Sequence, residues 1–358
     1  MRVKILNLLK VYEEEISLLL WTTVLLFIIR SAGIILNNYA ETTFLKRYGV
    51  EYLPVVNMLN AVATSFIIGG LTVFMGKISG ARLLSYVFIF AGISVTLIRQ
   101  LIPLGFDILY PLLFMLKSQF ELLLTLLFWN MCNDLFNTRQ SKRLFPLLTA
   151  GGLIGLILGS VGTPYFAKTF ALDNLLDIYL ATCLIGFVFV HAMGRSNSTL
   201  ICPNKPHKPG EEKSSMLQQI KDVYPLVKDS MLIKIVLLLT FMPNVVIPIM
   251  NYQFNYAVND QFASEAAMIQ FFGYFRGGLN TVSLFILLFV GRIYGRWGLP
   301  VALMFHPFNY MIAFFAFLFR FDVFSAAYAR MSTTIIRTTI NLPANNILIG
   351  LFPESYRN

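Results

Sequence analysis

The sequence predicts an all-α integral membrane protein: a bundle of ten transmembrane helices, six before a soluble linker and four after it. Three observations predict this. Hydrophobic residues fill 57% of the 358 positions against 13% charged, and mean hydropathy is +0.69, well outside the range of soluble domains. Apolar runs of about 20 residues, the helical length that crosses a bilayer's hydrocarbon core, recur along the chain. Basic residues gather in alternate loops, the pattern by which membrane topology is encoded.

Taken in order, the predicted spans are 16–40, 52–75, 83–104, 108–134, 145–167, 174–193, 231–257, 265–290, 299–320 and 324–351. The first follows Glu13, Glu14 and Glu15 and has no small-residue cleavage site after it, so it reads as an anchor and not a cleavable signal. The second ends at Gly76-Lys77-Ile78-Ser79-Gly80, and the eighth ends at Gly291-Arg292-Ile293-Tyr294-Gly295. Both read G-[KR]-I-x-G at equivalent places in the two halves, as expected of parallel six-helix repeats related by an axis along the membrane normal. The fifth carries Gly151, Gly155 and Gly159 at four-residue spacing, a pattern for close helix packing first and a rocking hinge second. Pro243 and Pro248 in the seventh and Pro343 in the tenth mark kinks. On this plan the chain divides into a six-helix half (1–193), a linker (194–230) and a four-helix half (231–358). Pro203, Pro206, Pro209 and Gly210 make the linker flexible before SSMLQQIKDVYPLVKDS, an amphipathic surface helix. If the second half also has six helices, two are absent and the chain is a fragment.

Sorting basic residues by side gives the orientation. One side collects Arg2, Lys4, Lys10, Lys77, Arg82, Arg139, Lys142, Arg143, the cluster from Arg195 to Lys228, Arg292, Arg296 and Arg357. The other holds little beyond Lys46, Arg47, Lys168 and Arg320. The positive-inside rule therefore puts the N-terminus in the cytoplasm and assigns Lys77, Arg82, Lys142, Arg143, Arg292 and Arg296 topology and gating roles. A net charge of +10 dispersed over such loops argues against a nucleic-acid partner. Cys132, Cys183 and Cys202 have no pairing or metal spacing and read as free thiols. His191, His207 and His306 show no ligand spacing either, so no metal is expected. No G-x-x-x-x-G-K-[ST] loop, nucleophile and base, or cofactor motif occurs, so an enzyme is not expected, no cofactor is expected, and energy would come from gradients or exchange.

Polar residues within the spans fall on helical faces. Arg30, Asn37 and Glu41 lie at i, i+7 and i+11; Asn244, Asn251, Asn255 and Asn259 repeat that spacing, as do Arg330, Thr334, Arg337 and Asn341. Lys117 and Glu121 lie one turn apart, and the eighth span adds Arg276, Asn280 and Ser283. Spans one, four, seven and ten thus carry polar stripes, whereas three, six and nine are apolar supports. A charge facing lipid at mid-membrane costs roughly 2.5 to 3.5 kcal/mol, so such groups either pair with each other structurally or face a cavity. Arg30, Lys117, Arg276, Arg330 and Arg337 have only Glu121 as counter-charge near mid-depth, an excess of four that an anionic ligand would neutralise. The candidate substrate-binding residues are therefore Arg30, Asn37, Lys117, Glu121, Asn251, Asn255, Arg276, Arg330 and Arg337, with Glu121 pairing with Lys117 in one state and releasing it in another.

Phe128-Trp129, Asn133 and Gln140-Ser141-Lys142-Arg143-Leu144-Phe145-Pro146-Leu147, followed by the glycine helix, resemble the ATP/ADP translocase (nucleotide transporter) family and its bacterial relatives fused to HEAT-repeat domains. Gly49-Val50-Glu51-Tyr52-Leu53-Pro54, Tyr252-Gln253-Phe254 and Phe271-Phe272-Gly273 also resemble family positions. The resemblance implies a major-facilitator-type bundle of twelve helices, a cavity lined by helices one, four, seven and ten, nucleotide exchange, and residence in the bacterial cytoplasmic membrane. The chain departs from the family at Asn37 and Ala40, where nucleotide exchangers tend to be basic, and at Lys117, where they tend to be acidic. It also lacks the acidic residue of the usual major-facilitator loop after helix two. The expected function is a secondary transporter of an anionic, phosphorylated solute, with ATP or ADP implied by the resemblance. A transporter of anionic lipid or another organic anion, and a non-transporting scaffold or sensor for a missing soluble domain, remain open alternatives at this level.

Overall fold

The computed structural model describes residues 11–75, 78–196 and 231–341, and among these it is helical with no strand. The helices are α1 (Glu13–Thr43), α2 (Leu53–Met75), α3 (Gly80–Leu101), α4 (Leu109–Leu135), α5 (Thr138–Thr169), α6 (Leu175–Ser196), α7 (Met231–Gln261), α8 (Glu265–Phe319) and α9 (Val323–Ile335). Two π-helical stretches, Phe44–Tyr48 and Ile336–Asn341, continue α1 and α9. Six helical segments among the described residues are long and apolar enough to cross a membrane: Glu13–Tyr48, Val50–Leu71, Gly80–Leu104, Leu109–Leu135, Arg143–Thr169 and Leu172–Arg195. They coincide with the first six predicted spans.

The predicted eighth and ninth spans differ from expectation, because both lie within the single 55-residue helix α8. The helix continues against local signals, since Gly291, Gly295 and Gly298 weaken it and Pro300 removes a backbone donor within it. Helix α7 likewise continues through Pro243 and Pro248. Of the linker predicted over 194–230, residues 194–196 form the end of α6, and 197–230 with the amphipathic segment lie outside the described residues, as do Gly76-Lys77 of the first repeat and Pro343.

The chain forms two compact units. One comprises Met1–Lys205 with Phe262–Leu284, and the other Pro206–Gln261 with Phe285–Asn358. In the first, α1 packs along α5, α3 against α6, and α4 against α1 and α3. The core between them buries Leu25, Leu36, Tyr39, Phe88, Phe120, Phe128 and Tyr179. The glycines of α5 explain the closeness of its contact with α1. A Cβ on Gly155 would lie 2.6 Å from the Phe27 carbonyl oxygen, and one on Gly159 2.9 Å from that of Ser31. Backbone therefore meets backbone, as small residues permit in membrane helices. Gly273 of α8 does the same against α5, where its Cβ would meet the Ser160 carbonyl at 2.7 Å.

The family-like Gln140 segment has a local role as well. Asn137 accepts from the Gln140 backbone N–H at 3.0 Å, and the Gln140 side chain accepts from the Asn137 N–H at 3.0 Å, a reciprocal cap that starts α5. In the second unit α7 packs against α9, with Met250, Ala313 and Ala329 buried together. Large apolar side chains such as Met58, Val62 and Phe66 on α2 are exposed, the composition of a surface in contact with lipid.

Candidate functional site

The polar stripe of α1 meets that of α4 in antiparallel register. Arg30 Nη1 donates to Glu121 Oε1 at 3.2 Å, and farther along, Lys117 Nζ donates to Asn37 Oδ1 at 2.6 Å and stands 3.8 Å from Glu41 Oε2. Lys117 also lies 4.1 Å above the Phe114 ring. From α8, Arg276 reaches the same place: its guanidinium bonds both the Glu41 carboxylate and the Asn38 side-chain oxygen, and its charge lies 4.9 Å over Phe272. Only 3% of Glu41, 9% of Lys117 and 7% of Arg276 is exposed, so these charges are withdrawn from water together. Asn38 donates to Thr163 Oγ1 on α5 at 3.0 Å, which orients one partner of the arginine, and Asn280 donates to the Arg276 backbone carbonyl at 2.8 Å.

In the state described, Lys117 and Glu121 share a helix face and take different partners: Lys117 turns to Asn37 and Glu41, while Glu121 takes Arg30. One expectation needs correction here. Glu121 is not alone as counter-charge, because Glu41 joins it. Arg30, Lys117 and Arg276 thus face two carboxylates, and the excess among them is one. The signal for Glu41 was its place on the stripe eleven residues after Arg30. For Asn38, one position off that stripe, the sequence carried no signal.

Two further ionic groups tie the ends of this unit. At one end, in the π-helical turn after α1, Arg47 holds Glu265 at the start of α8 through two bonds of 2.5 and 2.7 Å. Arg47 also donates to the Tyr110 hydroxyl at 3.2 Å and lies 3.6 Å from Asp173, which accepts from Tyr39. Arg99 pairs nearby with Asp177 at 2.8 Å. At the other end Arg143 pairs with Glu15 at 2.6 Å and covers the Tyr12 ring.

In the second unit, Arg330 donates to Asn255 Oδ1 at 3.0 Å and lies 4.4 Å over the Phe254 ring. Asn251, one turn before Asn255 on α7, is half-buried. Arg337 is half-buried in the π-helical stretch and makes no hydrogen bond or ion pair among the described residues. Such π distortions often occur at functional sites. His306 and Asn341 bond at 2.8 Å, and Asn309 donates to Thr333 at 3.1 Å. Of the topology residues, Arg82 is exposed and Arg143 is paired. Lys77 and the side chains of Lys142, Arg292 and Arg296 lie outside the described residues.

Solved structures share this fold. A mutant form of the nucleoside transporter NupG aligns with a TM-score of 0.67 at 15% identity, over 95% of this chain and 85% of that one. A second NupG structure gives 0.62 at 15% identity over 95% and 84%. A bacterial homolog of the human lysosomal transporter Spinster, inward-facing and unoccupied, gives 0.54 at 10% identity over 94% and 77%. These likenesses show the fold, a multi-pass helical bundle shared with those transporters. A family model described as TLC ATP/ADP transporter matches residues 120–351, and the chain belongs to that family. No curated protein matches the chain.

Proposed function

We propose that this chain is a secondary active transporter that moves an anionic, phosphorylated solute by alternating access, with ATP/ADP-type nucleotide exchange as the reading its family supports. The observation that carries it is the buried sharing of one carboxylate, that of Glu41, by Lys117 and Arg276. A carboxylate held between two desolvated cations occupies the position that a solute phosphate or carboxylate would take. The arriving anion replaces Glu41 as acceptor of the Arg276 and Lys117 N–H groups, with Arg276 suited to a two-point grip. Arg30, Asn37 and Glu121 extend this group along α1 and α4, Glu121 holding Arg30 while the solute is absent. In the second unit Arg330 and Arg337 supply positive charge, and Asn251 and Asn255 supply hydrogen bonds.

The sequence supports the rest of this reading. The chain is arranged as a half over 1–193, a linker over 194–230 and a half over 231–358. The N-terminus is cytoplasmic, and Lys77, Arg82, Lys142, Arg143, Arg292 and Arg296 mark the cytoplasmic face of a bacterial inner membrane. A second reading, another organic anion at the same group of residues, is favoured by Lys117 standing where family nucleotide exchangers tend to be acidic. Thermal unfolding of the purified protein tests binding. ATP and ADP at about 100 times their dissociation constant should stabilise it by about 2.7 kcal/mol, whereas adenosine should not. Stabilisation by other organic anions but not by nucleotides supports the second reading, and no stabilisation by any anion sinks both.

A further inference from the structure

A cavity of about 530 Å³ lies apart from the charged group just described, between the start of α3 and the end of α6. Ala81, Arg82, Ser85 and Tyr86 line it from α3, and Phe187, Val190, His191, Gly194 and Arg195 from α6. Arg82 stands in the first turn of α3 and Arg195 in the last turn of α6, so two guanidinium groups converge from antiparallel neighbours. Both residues are exposed, and neither has a hydrogen bond or ion pair among the described residues. The His191 ring stacks on Phe187, and the Ser85 and Tyr86 side chains add hydroxyl groups.

Two apolar stripes lead away from this basic end. On α3, Tyr86, Phe90, Ile93 and Leu97 are exposed at spacings of four, three and four residues, continuing the helix face on which Arg82 lies. On α6, Leu184 and Val188 are exposed, and they continue with the same spacing into His191 and Arg195. Cationic groups at one helix end with exposed apolar stripes running from them along the span match an amphipathic anion lying parallel to the helices. A free phosphate would use the basic end and leave the stripes untouched.

We infer that this cavity binds the headgroup phosphate of an anionic membrane phospholipid, with Arg82 and Arg195 on the phosphate and the acyl chains along the exposed stripes of α3 and α6. Arginine's forked donors fit phosphate oxygens, and basic pockets between membrane helices take such headgroups. The site stands apart from the transported solute and from the group around Glu41.

Native mass spectrometry of the full chain in mild detergent, with phosphatidylglycerol and phosphatidylcholine offered in equal amounts, tests this. Wild type should retain phosphatidylglycerol in preference. The double variant R82Q/R195Q should retain about thirtyfold less of it, with phosphatidylcholine unchanged, the equivalent of about 2 kcal/mol for the two charges removed. Equal retention of the two lipids by wild type overturns the proposal, and so does undiminished phosphatidylglycerol on the double variant. Displacement of the lipid by an equal concentration of inorganic phosphate or of the chain-free headgroup would assign the site to a free anion and overturn it too. Should the double variant not remain monodisperse, the comparison of lipids on wild type and the displacement arm decide.

Discussion

Arg276 on α8 and Glu41 on α1 form an ion pair with both side chains buried, and Lys117 on α4 lies 3.8 Å from the same carboxylate. Removing one member of a buried pair leaves an uncompensated charge, at a cost of about 3 to 5 kcal/mol. Glu41→Gln should therefore lower the unfolding temperature in detergent substantially, since two cations lose their shared partner. The double variant Glu41→Gln/Arg276→Gln should recover part of the loss. Additive losses in the double variant would show that the two residues are not coupled.

Helix packing makes a sharper structural prediction. Gly155→Ala places a Cβ 2.6 Å from a backbone oxygen of α1, which cannot move aside as a side chain could. Overpacking of this kind costs about 1 to 3 kcal/mol. Gly33→Ala on α1 meets no atom within 4 Å, and replacing a mid-helix glycine should gain about 0.5 to 1 kcal/mol. Thermal unfolding of the two variants should move in opposite directions.

The Arg47–Glu265 pair joins residues 218 positions apart through two bonds, with each side chain about a quarter exposed. At that exposure each single substitution to alanine should cost about 1 kcal/mol or less. The charge-exchanged variant Arg47→Glu/Glu265→Arg should return toward wild type in unfolding temperature. If it is worse than either single charge reversal, the Tyr110 and Asp173 contacts of Arg47 matter more than Glu265.

Much of this arrangement was legible in the sequence, for a physical reason. Arg30, Asn37, Glu41, Lys117 and Glu121 are each expensive in an apolar helix, and their spacing shows which of them share a face. Gly151, Gly155 and Gly159 likewise announce a close contact. Partner choice was not legible. Whether Lys117 meets Glu121 on its own helix or Glu41 on another depends on how α1 and α4 lie against each other, and no local pattern carries that. Arg276 on Glu41 and Arg47 on Glu265 are pairings of the same kind. The continuity of α8 was hidden because Gly291, Gly295, Gly298 and Pro300 together read as a stop, yet the helix runs through them.

Arg337 makes no hydrogen bond or ion pair among the described residues, so its removal breaks none there. Arg337→Ala should change the unfolding temperature little and reduce transport more than it reduces folding. An unchanged transport rate would remove Arg337 from the proposed binding residues.

Exchange in proteoliposomes tests the central claim most directly. Vesicles containing the full chain and loaded with ADP should take up labelled ATP in a manner that depends on the internal ADP. Arg276→Gln or Lys117→Gln should slow that uptake about tenfold or more, the equivalent of about 1.4 kcal/mol or more of lost stabilisation. Absence of exchange with every counter-substrate, or an uptake rate unchanged in both variants, would contradict the account.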